Sequence, residues 1–289
     1  MLKILITCLL PFTCFSQTVP YRHYKKGEVL KYRISTESYR NGQPSGKSVA
    51  VSKHRVIKHK GVWSEEIRWL GKTNYSGDSV TAILDSITAR IKPYRVSLSP
   101  KGNVPLPKLD FPAMTGEITD LNTFLVAIAP ALKAQQLSAT QTQLKNEGLR
   151  QGNFADGVLI LTGTDCIEVT QQLLKDEKDY AEVRTSFLPP ATFCLEPLID
   201  SIRTVTGTVP NNFQMIQKGA GDKVNLFWGV ESFIIDSKID KRTGRLMEAE
   251  MTNELALRMR YNSTKDLTTY AVEMPVSIKR KVKLELMKE

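Results

Sequence analysis

The chain has 289 residues, of which 41% are hydrophobic and 24% charged, and it carries a formal net charge of +10; this length suits one large β domain or two small ones. A basic balance favours anionic partners such as lipid head groups or acidic glycans, whereas the lack of any helix-turn-helix, zinc-finger or ribonucleoprotein pattern argues against nucleic acid. No apolar run approaches the roughly 20 residues of a transmembrane helix.

The first element reads as an export signal over residues 1–16. Lys3 precedes the apolar run Ile4–Leu10, and Cys14-Phe15-Ser16 places small residues at the two positions that a signal peptidase reads. Cleavage after Ser16 leaves 17–289 with a formal charge of +9, since Lys3 is the only ionised side chain removed. The expected location is periplasmic or extracellular. A lipid-anchored envelope protein is the second reading, through Cys14, although Pro11-Phe12-Thr13 departs from the Leu-and-small-residue pattern of a lipobox. Cys8 and Cys14 leave with the signal, so Cys166 and Cys194 remain in a compartment where disulfides persist. Pairing them closes a loop of about 29 residues, for which chain entropy gives about 3–4 kcal/mol. Neither Cys has a Cys or His at ligand spacing, so no metal is expected, and no motif calls for a cofactor.

Strands follow. Leu30, Tyr32 and Ile34 alternate ahead of Asn41-Gly42, and Lys60-Gly61 separates Val49–Ile57 from Trp63, Ile67 and Trp69; both dipeptides mark hairpin turns. Pro100, Pro105, Pro107 and Pro112 cannot sit in a central strand, so residues 99–117 read as an irregular excursion. A helix comes next, capped by Asp120, kinked at Pro130 and ending near Leu137. Its apolar face is Leu121, Phe124, Leu125, Ile128 and Leu132. Further strands are expected over 157–173 and 180–188. Lys218-Gly219-Ala220-Gly221-Asp222 is a turn without the spacing of a phosphate loop.

The last third alternates most clearly. Met247, Ala249, Met251, Leu255, Leu257, Met259 and Tyr261 occupy odd positions against Glu248, Glu250, Thr252, Glu254, Arg258 and Arg260. Val272, Met274, Val276, Ile278, Val282, Leu284 and Leu286 likewise share a face. Such runs are half-buried strands. Strand pattern on both sides of the helix predicts a mainly β (α+β) fold: a curved antiparallel sheet or half-barrel with an inserted helix packed on its concave face. The expected organisation is a single β-rich domain over 17–289, with a proline-rich and helical insertion at about 99–140.

Candidates for catalysis are few. His54 and His59 are five residues apart on one strand and so point to opposite faces, and His23 has no ligand-type neighbour. A Ser-His-Asp triad finds no Gly-x-Ser-x-Gly elbow to support it. Asp110, Glu117 and Asp120 cluster near the proline-rich excursion, Glu65-Glu66 lies on a strand, and Asp165 and Glu168 flank Cys166; a pair of facing carboxylates among them would suit a hydrolase of envelope glycans or lipids. Methionine is the stronger signal, because Met215, Met247, Met251, Met259, Met274 and Met287 all follow residue 200. Methionine fills irregular cores and also lines adaptable apolar surfaces. The candidate ligand-binding set is therefore Met247, Met251, Leu255, Leu257, Met259 and Met274 on the sheet, with Phe124 and Ile128 on a helix that either fills the concave face or covers it until ligand displaces it.

The opening strand Gly27-Glu28-Val29-Leu30-Lys31-Tyr32-Arg33-Ile34, the Asn-Gly hairpin, the helical insertion and the late hairpin Ile239-Asp240-Lys241-Arg242-Thr243-Gly244-Arg245-Leu246 together resemble the half-barrel of bacterial lipoprotein carriers and lipid-binding proteins of the LolA, LolB and LppX type. The Ser16-Gln17 junction is similar to those of exported proteins from the Bacteroidetes. The resemblance implies a sheet and helical cover that enclose acyl chains. The expected function is non-enzymatic binding of an apolar or amphipathic ligand, lipid-like, in the cell envelope, with an anionic envelope surface as a further partner. A structural or assembly partner, using a sheet edge or the Lys279–Lys283 face, is the alternative reading, ahead of a carboxylate-dependent hydrolase.

Overall fold

The computed structural model describes residues 21–105, 107, 109–134, 138–144, 151–154, 158–161, 167–189 and 212–288. The export signal, Cys14, Cys166, Cys194 and the expected helix end at Leu137 lie outside them.

The elements in chain order are β1 (Val29–Arg40), β2 (Gln43–His59), β3 (Val62–Ser76), β4 (Ser79–Ile83), a one-turn helix α1 (Asp85–Thr88), β5 (Tyr94–Val96), a 3-10 turn (Pro112–Met114) and α2 (Thr115–Ala134). They continue with β6 (Thr142–Leu144), β7 (Gln151–Phe154), β8 (Val158–Leu161), β9 (Glu168–Asp176), β10 (Tyr180–Leu188), β11 (Phe213–Lys218), β12 (Val224–Asp240), β13 (Leu246–Ser263) and β14 (Val272–Leu286). Among the described residues all fourteen strands join one antiparallel sheet that is not closed into a barrel; its main path runs β4-β3-β2-β1-β14-β13-β12-β10-β9-β6, with β5 paired to β3, β11 to β12 and β8, and β7 to β8. The fold is thus mainly β, with a helix packed on one face, as the alternation required.

Local sequence accounts for the long hairpins. Asn41 and Gly42 have φ of 49° and 78°, and Lys60 and Gly61 have 47° and 81°; two consecutive left-handed residues make the turn whose twist matches the flanking strands. β1 pairs with both β2 and β14, which brings the first and last long strands together at the centre. β12 is longer than its neighbours on one side: Phe213–Lys218 pairs with its first half and Tyr180–Phe187 with its second. Asn212 fills the gap between them, donating from Nδ2 to the Glu231 carbonyl at 2.8 Å and accepting the Glu231 N–H on Oδ1 at 2.7 Å. A side-chain amide thereby continues the ladder between the ends of β10 and β11.

The inner face of the sheet is the one that carries α2. Leu121, Phe124, Ile128 and Leu132 of α2 are fully buried in one cluster with Tyr32, Ile34, Trp69, Ile235, Ala249, Met251, Val282 and Leu284. The helix starts at Thr115 and runs through Pro130, so Asp120 lies in its second turn and is not its cap. The described residues of 97–111 are irregular, rather than all of 99–117 as expected, because α2 already begins at Thr115. A second cluster holds Phe213, Phe227, Leu255, Leu257, Met259 and Val276, with Met215, Met274 and Ile278 half-buried against it. Among the described residues, no helical side chain joins this second cluster.

The β12–β13 pairing carries two register shifts, the first of which breaks the expected alternation. The β12–β13 register shifts between Lys238 and Ile239, whose partners are Glu248 and Leu246. Met247 is thereby skipped, and Leu246 takes the buried place. A second shift between Val224 and Leu226 lies beyond Arg260, which pairs with Leu226 and is buried, while Tyr261 stays opposite Val272 and is 42% exposed at the end of the sheet. The bulge at Met247 adds one residue and inverts the parity beyond it, a change that binary pattern alone does not reveal.

Candidate functional site

The eight residues expected to bind ligand divide into three groups. Phe124, Ile128 and Met251 belong to the core beneath α2. Leu255, Leu257, Met259 and Met274 belong to the second cluster. Met247 stands apart, half-buried at the bulge. Strand alternation carries Met251, Leu255, Leu257 and Met259 on one face of β13, so the inner face is apolar along its length, yet α2 packs on only part of it.

Accessibility grades along the second cluster. Leu257 and Met259 are closed at 4% and 5% exposure, Met215 and Met274 are half-buried, and the cross-strand pair Tyr261 and Val272 at the end of the sheet is 42% and 39% exposed. The floor is shut and the rim is open. Arg40, the last residue of β1, pairs with Ile278 and so projects on this same face; its Nη2 lies 3.9 Å from Met259 Sδ.

A polar belt separates the helix-covered half from the methionine half. It is built where Asn253 of β13 stands opposite Arg280 of β14, each interrupting an otherwise apolar face. Arg280 Nη2 donates to Asp120 Oδ2 of α2 at 2.5 Å. One turn earlier, Glu117 Oε1 accepts from Lys72 Nζ at 2.7 Å and Ser48 Oγ at 2.8 Å. Asn253 Nδ2 donates to Glu231 Oε1 at 3.0 Å. Burial pushes the Asp120 carboxyl above its ordinary range despite Arg280, and burial likewise raises Glu231 despite Asn253. Asp120 and Glu117 are thus tied to cations on β14 and β3 and anchor the helix. This is a packing role, and these two carboxylates do not face each other across a cleft.

The raised Glu231 carboxyl has a defined sign. Its neutral form is favoured in the fold, so its contribution is present below its ordinary pKa of 4.5 and is lost as pH rises through the raised folded value. Glu231→Gln keeps an acceptor for Asn253 and removes the titration. The variant should gain stability on the parent between about pH 5 and pH 8, read as the difference in urea midpoint; a constant difference across that range would contradict the assignment.

A second buried network lies at the opposite end of the inner face. Ser52 Oγ is 3.0 Å from His54 Nε2, and His54 Nδ1 is 2.9 Å from Glu65 Oε2. Arg22 Nε donates to Glu65 Oε1 at 3.2 Å and Arg22 Nη2 to Glu28 Oε2 at 2.8 Å. Burial pushes the Glu65 carboxyl up, but His54 and Arg22 together outweigh it and hold the group below the usual carboxylate range. The distances match those of a nucleophile, base and orienting acid. Ser52 and His54 are nevertheless both 0% exposed, with the Tyr32 ring 4.7 Å from the imidazole, so the hydroxyl offers no attack position to a substrate. The network fastens the N-terminal segment to the sheet.

His54 is buried and His59 exposed, on opposite faces as the spacing required, and no metal-ligand cluster occurs among the described residues. No helix among them is long and apolar enough to cross a membrane. The Lys279–Lys283 face is largely neutralised: Lys279 pairs with Glu254 at 2.7 Å, and Lys283 with Glu248 at 2.7 Å and Glu285 at 3.1 Å. A surface depression beside that face is lined by Tyr39, Val230, Ser232, Glu254, Lys279 and Lys281, and Leu255 and Ile278 of the second cluster also border it.

Arg280, Asn253, Glu231 and Arg40 were not among the sequence candidates. A signal existed for two of them, since Asn253 and Arg280 each break an apolar alternation; that they break it at the same cross-strand position required the register.

No protein-family model matches the chain, and no curated protein matches it. Among solved structures, the chain is similar to OmpT, an outer membrane protein of Vibrio cholerae folded in vitro in its trimer form, with 10% identity, 91% of this chain and 100% of that chain covered, and a TM-score of 0.19.

Proposed function

We propose that the protein is an exported, non-enzymatic cell-envelope protein that binds an apolar or amphipathic, lipid-like ligand on the inner face of its sheet. The observation that carries this reading is the division of that face: α2 packs on one half, while the methionine half grades from a closed floor to the exposed rim at Tyr261 and Val272. Methionine suits such a place, because three rotatable bonds let Met215, Met259 and Met274 change shape around a guest. The half-barrel resemblance and the export signal support the same reading.

Native mass spectrometry of the protein purified from its own host should show co-purified lipid. A clean apo mass, together with no binding to a lipid panel, would overturn the proposal. The alternative, a structural or assembly partner, draws support from the helix itself, since Phe124 and Ile128 fill their half of the face completely.

A further inference from the structure

On the face of the sheet turned away from α2, long and short side chains stand in separate rows across the strands. Tyr39 of β1 pairs with Lys279 of β14, Lys279 with Glu254 of β13, and Glu254 with Ser232 of β12. The next row holds Ser277, Ala256 and Val230. Beyond it Arg258 stands opposite Pro275 and pairs with Glu273 at 2.7 Å. Small side chains between long ones leave a trough, the depression of about 550 Å³ that both rows line. It crosses four strands, a span of about 14 Å at the ladder spacing.

The groups around the trough define what it can hold. The Tyr39 ring is half-buried and its hydroxyl donates to Glu37 Oε2 at 3.3 Å, which fixes it as a wall. Lys279 Nζ donates to Glu254 Oε1 at 2.7 Å, so a donor and an acceptor stand side by side at the rim. Lys281 also lines the trough, is exposed, and has no carboxylate within ion-pair distance among the described residues. Its cross-strand neighbour Glu37 is 3.8 Å from Lys47 instead. β13 and β14 are paired on both sides here, so they leave no backbone groups for an added peptide strand. An acyl chain over the Lys279–Glu254 pair would desolvate it with no compensating contact. A sugar ring matches both kinds of surface. Its C–H face packs on Tyr39, Ala256 and Val230, while its hydroxyls meet the ion pair and the two serines. A carboxylate on the ring meets Lys281 through a charge-assisted hydrogen bond.

We propose that this trough binds a carboxylated saccharide, a chain of uronic acid residues laid across β1, β14, β13 and β12 with one carboxylate on Lys281. The site is separate from the inner face and does not rest on the apolar-ligand reading.

The test is calorimetric titration of the purified protein, in about 0.15 M salt to screen distant charges, with tetragalacturonate and with its fully methyl-esterified form. The parent should bind the acid about fivefold more tightly than the ester, the scale of one exposed charge contact. Lys281→Gln should abolish that preference. Lys265→Gln removes the same charge from the β13–β14 turn and should keep it. Ala256→Tyr, at an exposed position, fills the trough and should abolish binding of both probes while thermal unfolding stays close to that of the parent. No binding by the parent, equal affinity for acid and ester, a preference that survives in Lys281→Gln, equal losses in the two lysine variants, or unchanged affinity in Ala256→Tyr would each overturn the proposal. None of these outcomes bears on the inner face, since neither probe carries an apolar tail.

Discussion

Replacing Arg22 by methionine is expected to destabilise the fold by about 3–5 kcal/mol, the cost of leaving a buried charge without its partner. Arg22 has 1% of its side chain exposed and touches two carboxylates that are 8% and 4% exposed, Glu28 and Glu65. Its Nη1 also donates to the His23 carbonyl at 2.7 Å, and the His23 N–H donates to the Thr243 carbonyl at 2.7 Å. One side chain therefore joins the N-terminal segment to β3 and to the β12–β13 turn. Urea unfolding at neutral pH reads the effect, and a loss below about 1 kcal/mol, the range of an exposed pair, would contradict it. The double variant Arg22→Met with Glu65→Gln should recover part of the loss, because the stranded carboxylate is removed. Glu65 also sets an acid limit. Its depressed folded pKa means that its stabilisation is present above its ordinary value of 4.5 and is lost as pH falls through the lower folded value.

Gly229→Ala is the second substitution with a large expected effect. Gly229 has φ of +146° and sits where β12 exchanges β11 for β10 as its neighbour. A Cβ there would overlap the Ala256 carbonyl oxygen and approach Leu257 Cα to 3.0 Å. Backbone strain of about 1–3 kcal/mol and overpacking of about 1–3 kcal/mol act together, so a loss of at least about 2 kcal/mol is expected. Because Gly229 pairs with both Leu257 and Phe213, the same variant should also weaken binding of an uncharged apolar probe to the methionine half. Thermal unfolding close to that of the parent would show that β13 yields at little cost.

Much of the architecture was legible because long β runs announce themselves twice, by alternation and by their turns. Asn41-Gly42 and Lys60-Gly61 specify left-handed turns by local chemistry, and the odd positions from Ala249 to Met259 face inward as read. The helix was legible too, from the spacing of Leu121, Phe124 and Ile128. Its start was misplaced because Asp120 is both a good cap by type and, in the fold, the partner of a distant arginine. Propensity describes neighbours within one turn, whereas the Arg280–Asp120 contact joins residues 160 positions apart.

The candidate site was legible only in its composition. Clustering of methionines after residue 200 pointed to β11, β13 and β14, but not to which of their side chains share a surface. Met247 left the expected face through a bulge, and Met251 entered the core with α2, so the rim is formed by Met215, Met274, Tyr261 and Val272. The belt of Arg280, Asn253, Glu231 and Asp120, the Arg40 guanidinium beside Met259, and the closed Ser52–His54–Glu65 network draw their members from four or more strands and the helix.

By itself the sequence determined the fold class, the two hairpin turns, the apolar faces of β13 and β14 and the separation of His54 from His59, because each depends on backbone preference and a period of two. Register, bulges and the reach of α2 were decided only in the tertiary structure, where pairing between distant strands selects which side chains meet. That pairing brings Asn253 opposite Arg280 and Asp120 against the Arg280 guanidinium, since the energy of a buried charge depends on what lies within a few ångströms of it and not on its place along the chain.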